Sequence, residues 1–249
     1  MIENFTLNYI SISKWLNDNQ GVVGVAIFAL TLALGWSSGI FSALRRKPKF
    51  KIQLINGPTF VCTFRTGKKY GELDVHRTGI TLYLKIANVG AAASSIEQIS
   101  VGYHWSVSHF SRAWFKYGMG WFWLHDQTAA IRDFQVTIGE DVKVYPFLTQ
   151  RSTLLPTQAS TYLEPGQSEN GVVYFEQANS WGGCFPAVNA EGTRIKICLR
   201  DVFGKRHFAR FMVPNVTLEQ AQKYNPSFGT TLAELYNERL PRDAKMNFQ

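Results

Sequence analysis

Few residues in this 249-residue chain stand at spacings that catalysis requires. Gly118-Met119-Gly120 opens a G-x-G-x-x-G, but Trp123 takes the third glycine position and no β-α unit surrounds it, so a phosphate-cradling loop is not expected. Gly35-Trp36-Ser37-Ser38-Gly39 matches G-x-S-x-G. A nucleophilic serine there needs a strand before it and a sheet beneath it, and here an uncharged run encloses the motif. The five histidines, His76, His104, His109, His125 and His207, fall at no metal-ligand spacing, and HExxH, CxxC and Walker lysine patterns are absent. His125-Asp126 with Asp133 could assemble a base, and Glu140-Asp141 is a carboxylate pair. Neighbouring strand residues point to opposite faces, so an exposed acidic turn accounts better for Glu140-Asp141. Cys62 and Cys198 sit in apolar phrases and are expected to be inert core thiols. The expectation is a non-enzymatic chain with no catalytic residue, metal or cofactor.

Two stretches could instead bind something. From Trp105 to Trp123 there are eight aromatics in nineteen residues (Trp105, Phe110, Trp114, Phe115, Tyr117, Trp121, Phe122 and Trp123), with Arg112 and Lys116 among them. Three readings stay open: the rings close one end of a core, they lie against a membrane interface, or they line a pocket that stacks a flat group while Arg112 and Lys116 meet phosphate. The second stretch is the hairpin from Arg194 to Val213. Arg194, Lys196 and Arg200 alternate with Ile195, Ile197 and Leu199, which makes one face cationic and the other apolar, and Lys205, Arg206 and Arg210 add charge. An ordinary solvated face competes there with a surface for an anionic partner, either lipid headgroups or a phosphate-bearing ligand.

The elements that position these stretches begin with Gly21 to Leu44, twenty-four residues without a charge, followed by the collar Arg45, Arg46, Lys47, Lys49 and Lys51. As a helix this run is about 36 Å long, against a hydrocarbon core of roughly 30 Å, and reads as one transmembrane span. A signal peptide would have a shorter apolar core and a cationic leader, whereas residues 1–20 carry Lys14 against Glu3 and Asp18. The positive-inside tendency puts residues 1–20 outside and the rest in the cytoplasm of a bacterium, with the collar on the inner-membrane surface. That head, with Trp15 near the span, is expected to form a short interfacial helix. Thr31, Gly35, Gly39 and Ala43 recur every four residues, which predicts a small-residue face for homo-oligomerisation. The net charge of +8 and pI near 9.4 owe much to the collar. Without the six cations and two acids of residues 1–51, totals of 26 and 18 fall to 20 and 16, a net of +4. Nucleic acid is therefore not an expected partner. Three cysteines, an odd count without framework spacing, fit a reducing compartment.

Beyond Pro48 the apolar period changes to two. Strands are expected at 50–54, 59–64, 80–87, 96–103, 134–138, 142–147, 171–176, 193–199 and 207–213, with 80–87 and 96–103 as a pair and 66–78 as an exposed loop. Eight or nine short strands without a long amphipathic helix predict a mainly β domain over 52–214, an antiparallel β-sandwich or barrel with an aromatic insertion at 105–130. Thr217-Leu-Glu-Gln220 and Thr231-Leu-Ala-Glu234 fit capping boxes of two short helices in 215–249, ended by Pro226 and Pro241, which could cover a sheet edge. The phrases LYLKIANVG then SIEQISVGY, and LEPGQSENGVVYF then RIKICLRDVFGKRHFARF, resemble bacterial immunoglobulin-like sandwiches. One span plus a cytoplasmic β domain looks like membrane effectors of bacterial antiphage systems. That resemblance implies a binding or sensor domain whose occupancy clusters the spans and perturbs the bilayer. The alternative is a scaffold subunit of an envelope assembly that docks a protein partner.

Overall fold

The computed structural model describes residues 14–39, 46–155 and 159–230, in two compact units that meet at Lys47 and Pro48. In the first unit, residues 14–18 are helical and α1 (Gln20–Ser37) follows. This helix is long and apolar enough to cross a membrane, its 18 residues giving about 27 Å of rise. Its hydroxyls are satisfied along its own backbone: Thr31 Oγ1 donates to the Ile27 carbonyl at 2.8 Å and Ser37 Oγ to that of Leu34 at 3.0 Å. Neither needs a partner in lipid. The unbroken helix expected over 21–44 differs from what is seen. Ser38 N–H closes onto the Leu34 carbonyl, and Gly39 takes φ +77, a left-handed stop that glycine adopts without a Cβ clash. Thr31 and Gly35 thus share the helix, Gly39 lies beyond its end, and Ala43 and Arg45 lie outside the described residues. Also outside them are residues 1–13 of the head and the second expected C-terminal helix.

The second unit is mainly β with antiparallel sheets. Its strands are β1 (Phe50–Leu54), β2 (Phe60–Tyr70), β3 (Leu73–Asn88), β4 (Ser94–Tyr103), β5 (Phe122–Leu124), β6 (Phe134–Ile138), β7 (Asp141–Tyr145), β8 (Tyr162–Leu163), β9 (Ser168–Ser180), β10 (Val188–Asn189), β11 (Gly192–Asp201) and β12 (Arg206–Val213), followed by α2 (Leu218–Tyr224). In the first sheet β3 is central. It has β9 on one edge (Leu82 opposite Val173), and on the other β1 (Ile52 opposite Ile86) and β2 (Phe60 opposite Thr81). The second sheet runs β12-β11-β4-β5, with β8 and β10 as short additions. Ile80, Leu82, Leu84, Ile86, Val173 and Phe175 of the first sheet and Ile99, Val101, Ile195, Ile197 and Leu199 of the second form one buried cluster. Each such side chain contributes about 1.5–3 kcal/mol of burial.

The alternate residues of the first sheet are buried too. Phe60, Cys62, Val172 and Tyr174 face Phe134, Tyr145, Phe147, Ala221 and Phe228, so the β6-β7 hairpin and the C-terminal segment make a third layer. This is why β3 and β9 read as apolar runs and not as strict alternation. The helix α2 opens with the expected capping box, Thr217 Oγ1 accepting from Gln220 N–H and Gln220 Oε1 from Thr217 N–H. It covers this face, while residues 214–216 hydrogen-bond along β2 at Val61. An ion pair ties the layer down. Arg77 Nε lies 3.2 Å from Glu176 Oε1 with both side chains more than nine-tenths buried, Arg77 Nη1 donates to the Gly229 carbonyl, and the Tyr174 hydroxyl donates to Glu176 at 3.0 Å.

Two expectations are corrected. Residues 66–78 are not a loop: β2 and β3 continue through them as a ribbon turning at Gly71-Glu72, and its exposed charges, among them Arg65 paired with Asp74 at 3.3 Å, give it a loop's composition. The expected partners 80–87 and 96–103 lie in different sheets. Between them the chain crosses over, fixed by Asn88, whose Nδ2 donates to the carbonyls of Ala92 (2.8 Å) and Leu163 (3.0 Å). Close packing of β9 against Leu148 gives a direct test. A Cβ on Gly171 would stand 2.5 Å from backbone N and Cα of Leu148. Gly171→Ala is expected to cost about 1–3 kcal/mol, read as a lower urea midpoint at unchanged slope.

Candidate functional site

Because Ile195, Ile197 and Leu199 of β11 point into the core, Arg194, Lys196, Cys198 and Arg200 point out. Register then assembles the face: Lys196 lies opposite Arg210, Cys198 opposite Phe208 and Arg200 opposite Arg206 on β12. On the other side they face Gly102, Ser100 and Gln98 of β4, and Gly102 in turn faces Trp123 of β5. Any side chain at Gly102 would meet the Trp123 indole at about 3.1 Å, so glycine lets the ring lie on the sheet. The Lys196 ammonium is 4.6 Å from the centroid of the Phe208 ring, 5.5 Å from Trp121 and 5.8 Å from Trp123, within cation-π range of all three. A groove of about 340 Å³ opens here, lined by Ser100, Trp123, His125, Lys196, Arg206 and Phe208 among others.

The two stretches singled out in the sequence therefore meet, through Trp121 and Trp123 from one and Lys196 from the other. Arg200 forms the groove wall as a paired cation, its guanidinium bidentate on Glu97 at 2.9 Å for both contacts. Arg210 lies beside Lys196 and is exposed. Arg194 borders a separate depression of about 700 Å³ with His104, His109 and Trp114. Arg112 and Lys116 do not reach the groove: both are exposed on the insertion, and Lys116 sits over its own neighbour Tyr117 at 4.9 Å. The other aromatics divide. Trp105 and Phe122 pack on the core and on each other, centroids 4.8 Å apart, with Tyr117 against Trp105 at 4.3 Å. Phe110, Phe115 and Met119, around a single π-helical turn at Trp114–Gly118, remain exposed. Phe208 was the signal left unread: it alternates with Arg206 and Arg210, so it had to share their outward face.

Among the described residues the groove lining includes His125 but not Asp133, Glu140 or Asp141. Asp133 is buried as a loop anchor, accepting from the N–H groups of Thr153 (3.0 Å) and Leu154 (2.6 Å). Glu140 lies in the exposed Gly139-Glu140 turn of the β6-β7 hairpin, and Asp141, also exposed, opens β7 opposite Ile138. Among the described residues no group of three His, Cys, Asp or Glu could hold a metal ion. Cys62 is a core thiol, pushed by burial up to about 11. Cys198 is not in the core as expected; it alternates outward onto the groove floor. Burial raises its thiol above the ordinary range, outweighing the nearby cations Arg206, Lys196 and Arg200, so it is protonated at neutral pH. Compared with known proteins, the chain matches no protein-family model and no curated protein.

Proposed function

We propose that this protein is a membrane-anchored, non-enzymatic binding module whose groove takes a small ligand combining a flat ring with negative charge. The observation that carries this is the Lys196 ammonium set among Trp121, Trp123 and Phe208 with Arg206 at the rim. Rings supply stacking area, the cations neutralise an anion, and His125 and Ser100 offer hydrogen bonds. The site's volume suits a molecule of nucleotide size or smaller. In this reading the second unit is an immunoglobulin-like sandwich in the bacterial cytoplasm, behind a span in the inner membrane with its N-terminus outside. The basic collar and the free cysteines support that orientation.

The test is equilibrium binding of a panel of nucleoside mono- and diphosphates to the detergent-solubilised full chain. Trp123→Ala is expected to weaken the best binder by about 1–3 kcal/mol, the usual worth of one stacked ring. Absence of saturable binding across the panel would remove the ligand reading and favour the scaffold role. We further propose that ligand occupancy controls association of the spans, as in a membrane-perturbing defence effector. Since Gly39 lies past the end of α1, the contact is assigned to Thr31 and Gly35. Gly35→Ile is expected to shift a cross-linked oligomer ladder to monomer and to abolish depolarisation of cells on overexpression.

A further inference from the structure

The β unit is entered at Pro48, and the surroundings of that residue form a second surface. Val89 N–H donates to the Lys49 carbonyl at 2.8 Å, and Phe50 N–H to His207 Nδ1 at 3.3 Å. His207 Nδ1 is thus the acceptor, so Nε2 carries the proton that meets Asp201 Oδ2 at 3.0 Å. Asp201 is fully buried and also accepts from the N–H groups of Phe203 (3.0 Å) and Lys205 (2.9 Å). Burial pushes its carboxyl up, but these hydrogen bonds outweigh that and hold it below the ordinary range, so it stays a carboxylate. The Lys205 ammonium reaches the Pro48 carbonyl at 3.4 Å. The β11-β12 turn is therefore fixed by a buried polar knot beside the residue where the chain arrives.

What this rigid turn presents is apolar. Phe203 is 71% exposed and Val202 53%, with Val89 of the β3-β4 crossing also 53% exposed. Beside them are the exposed cations Lys49, whose carbonyl accepts from Val89 N–H, and Lys205 of the turn itself. Single exposed apolar residues are common, so position decides. Only four chain steps separate Leu44, the last residue of the uncharged run, from Pro48, a reach of at most about 14 Å. The headgroup layer is roughly 5–8 Å deep.

We infer that the turn Val202-Phe203, flanked by Lys49 and Lys205, docks into the interface of an anionic lipid surface and holds this end of the domain against the membrane. The inference rests on the reading of residues 21–44 as a span, and the test separates the two. Photoreactive benzoylphenylalanine is placed in turn at Phe203, at Val188 and at Phe28 of the full chain in nanodiscs of phosphatidylcholine with phosphatidylglycerol. Val188 is exposed but lies at the far end of β11, about 27 Å away along the strand. Lipid adducts at position 203 should exceed those at 188 and fall roughly tenfold in pure phosphatidylcholine, or when Lys49→Glu and Lys205→Glu are combined. Equal yields at 203 and 188 with adducts still forming at 28 overturn the docking alone. No adduct at 28 overturns the span on which it rests. Yield at 203 that ignores both lipid charge and the charge reversals also overturns the docking.

Discussion

An Arg77→Leu chain is expected to lose about 3–5 kcal/mol of stability, a large part of the 5–15 kcal/mol that a domain of this kind possesses. The substitution leaves the Glu176 carboxylate buried without its guanidinium and takes the donor from the Gly229 carbonyl, which ties the C-terminal segment to the first sheet. Removing both partners should cost less than removing one, because two apolar side chains do not strand a charge. Urea unfolding of Arg77→Leu, Glu176→Leu and the double variant measures this. A double variant less stable than Arg77→Leu would show that the pair's hydrogen bonds to the backbone, more than the buried charge, carry the effect.

Lys196→Glu is expected to weaken binding of the best ligand in the panel more than 100-fold, which corresponds to about 2.8 kcal/mol. The ammonium sits on the groove floor against three rings, and a carboxylate there would both remove the attraction and repel an anion. Lys196 has no part in the core, so the variant should lose only about 1 kcal/mol of stability with its cation-π contacts and stay folded. Titration of the variant alongside its urea curve separates the two effects. Retained affinity would place the ligand elsewhere, the depression beside Arg194 being the next surface to test.

Local patterns in the chain anticipated its strands better than their neighbours. The alternation from Arg194 to Arg200 predicted both the buried and the cationic face of β11, and the capping box at Thr217 marked the start of α2. Pairing was less legible, since β3 and β4 are consecutive and apolar yet hydrogen-bond to β9 and β11. In the ribbon of residues 66–78 the distal part, residues 67–73, is exposed on both faces and so lacks the period that marks a half-buried strand, whereas Val75, Arg77 and Thr78 nearer the sheet are buried. The groove was legible only as halves. Trp123 and Lys196 are 73 positions apart, and nothing short of the β5-β4-β11 register places them together. The third layer escaped notice because β9 alone does not say what covers its second face.

The three layers also divide the molecule by how readily its parts open. With neighbours on both edges and side chains buried on both faces, the amides of β3 from Ile80 to Ile86 have no local route to solvent, and their hydrogen exchange should report whole-domain unfolding. The three-residue β5 pairs with β4 along one edge, so its amides are expected to exchange faster than those of β3. Lys196 rides on a ten-residue strand held on both sides, whereas Trp123 rides on β5. The groove thus joins a charge on a strand held along both edges to a ring on a short strand paired along one.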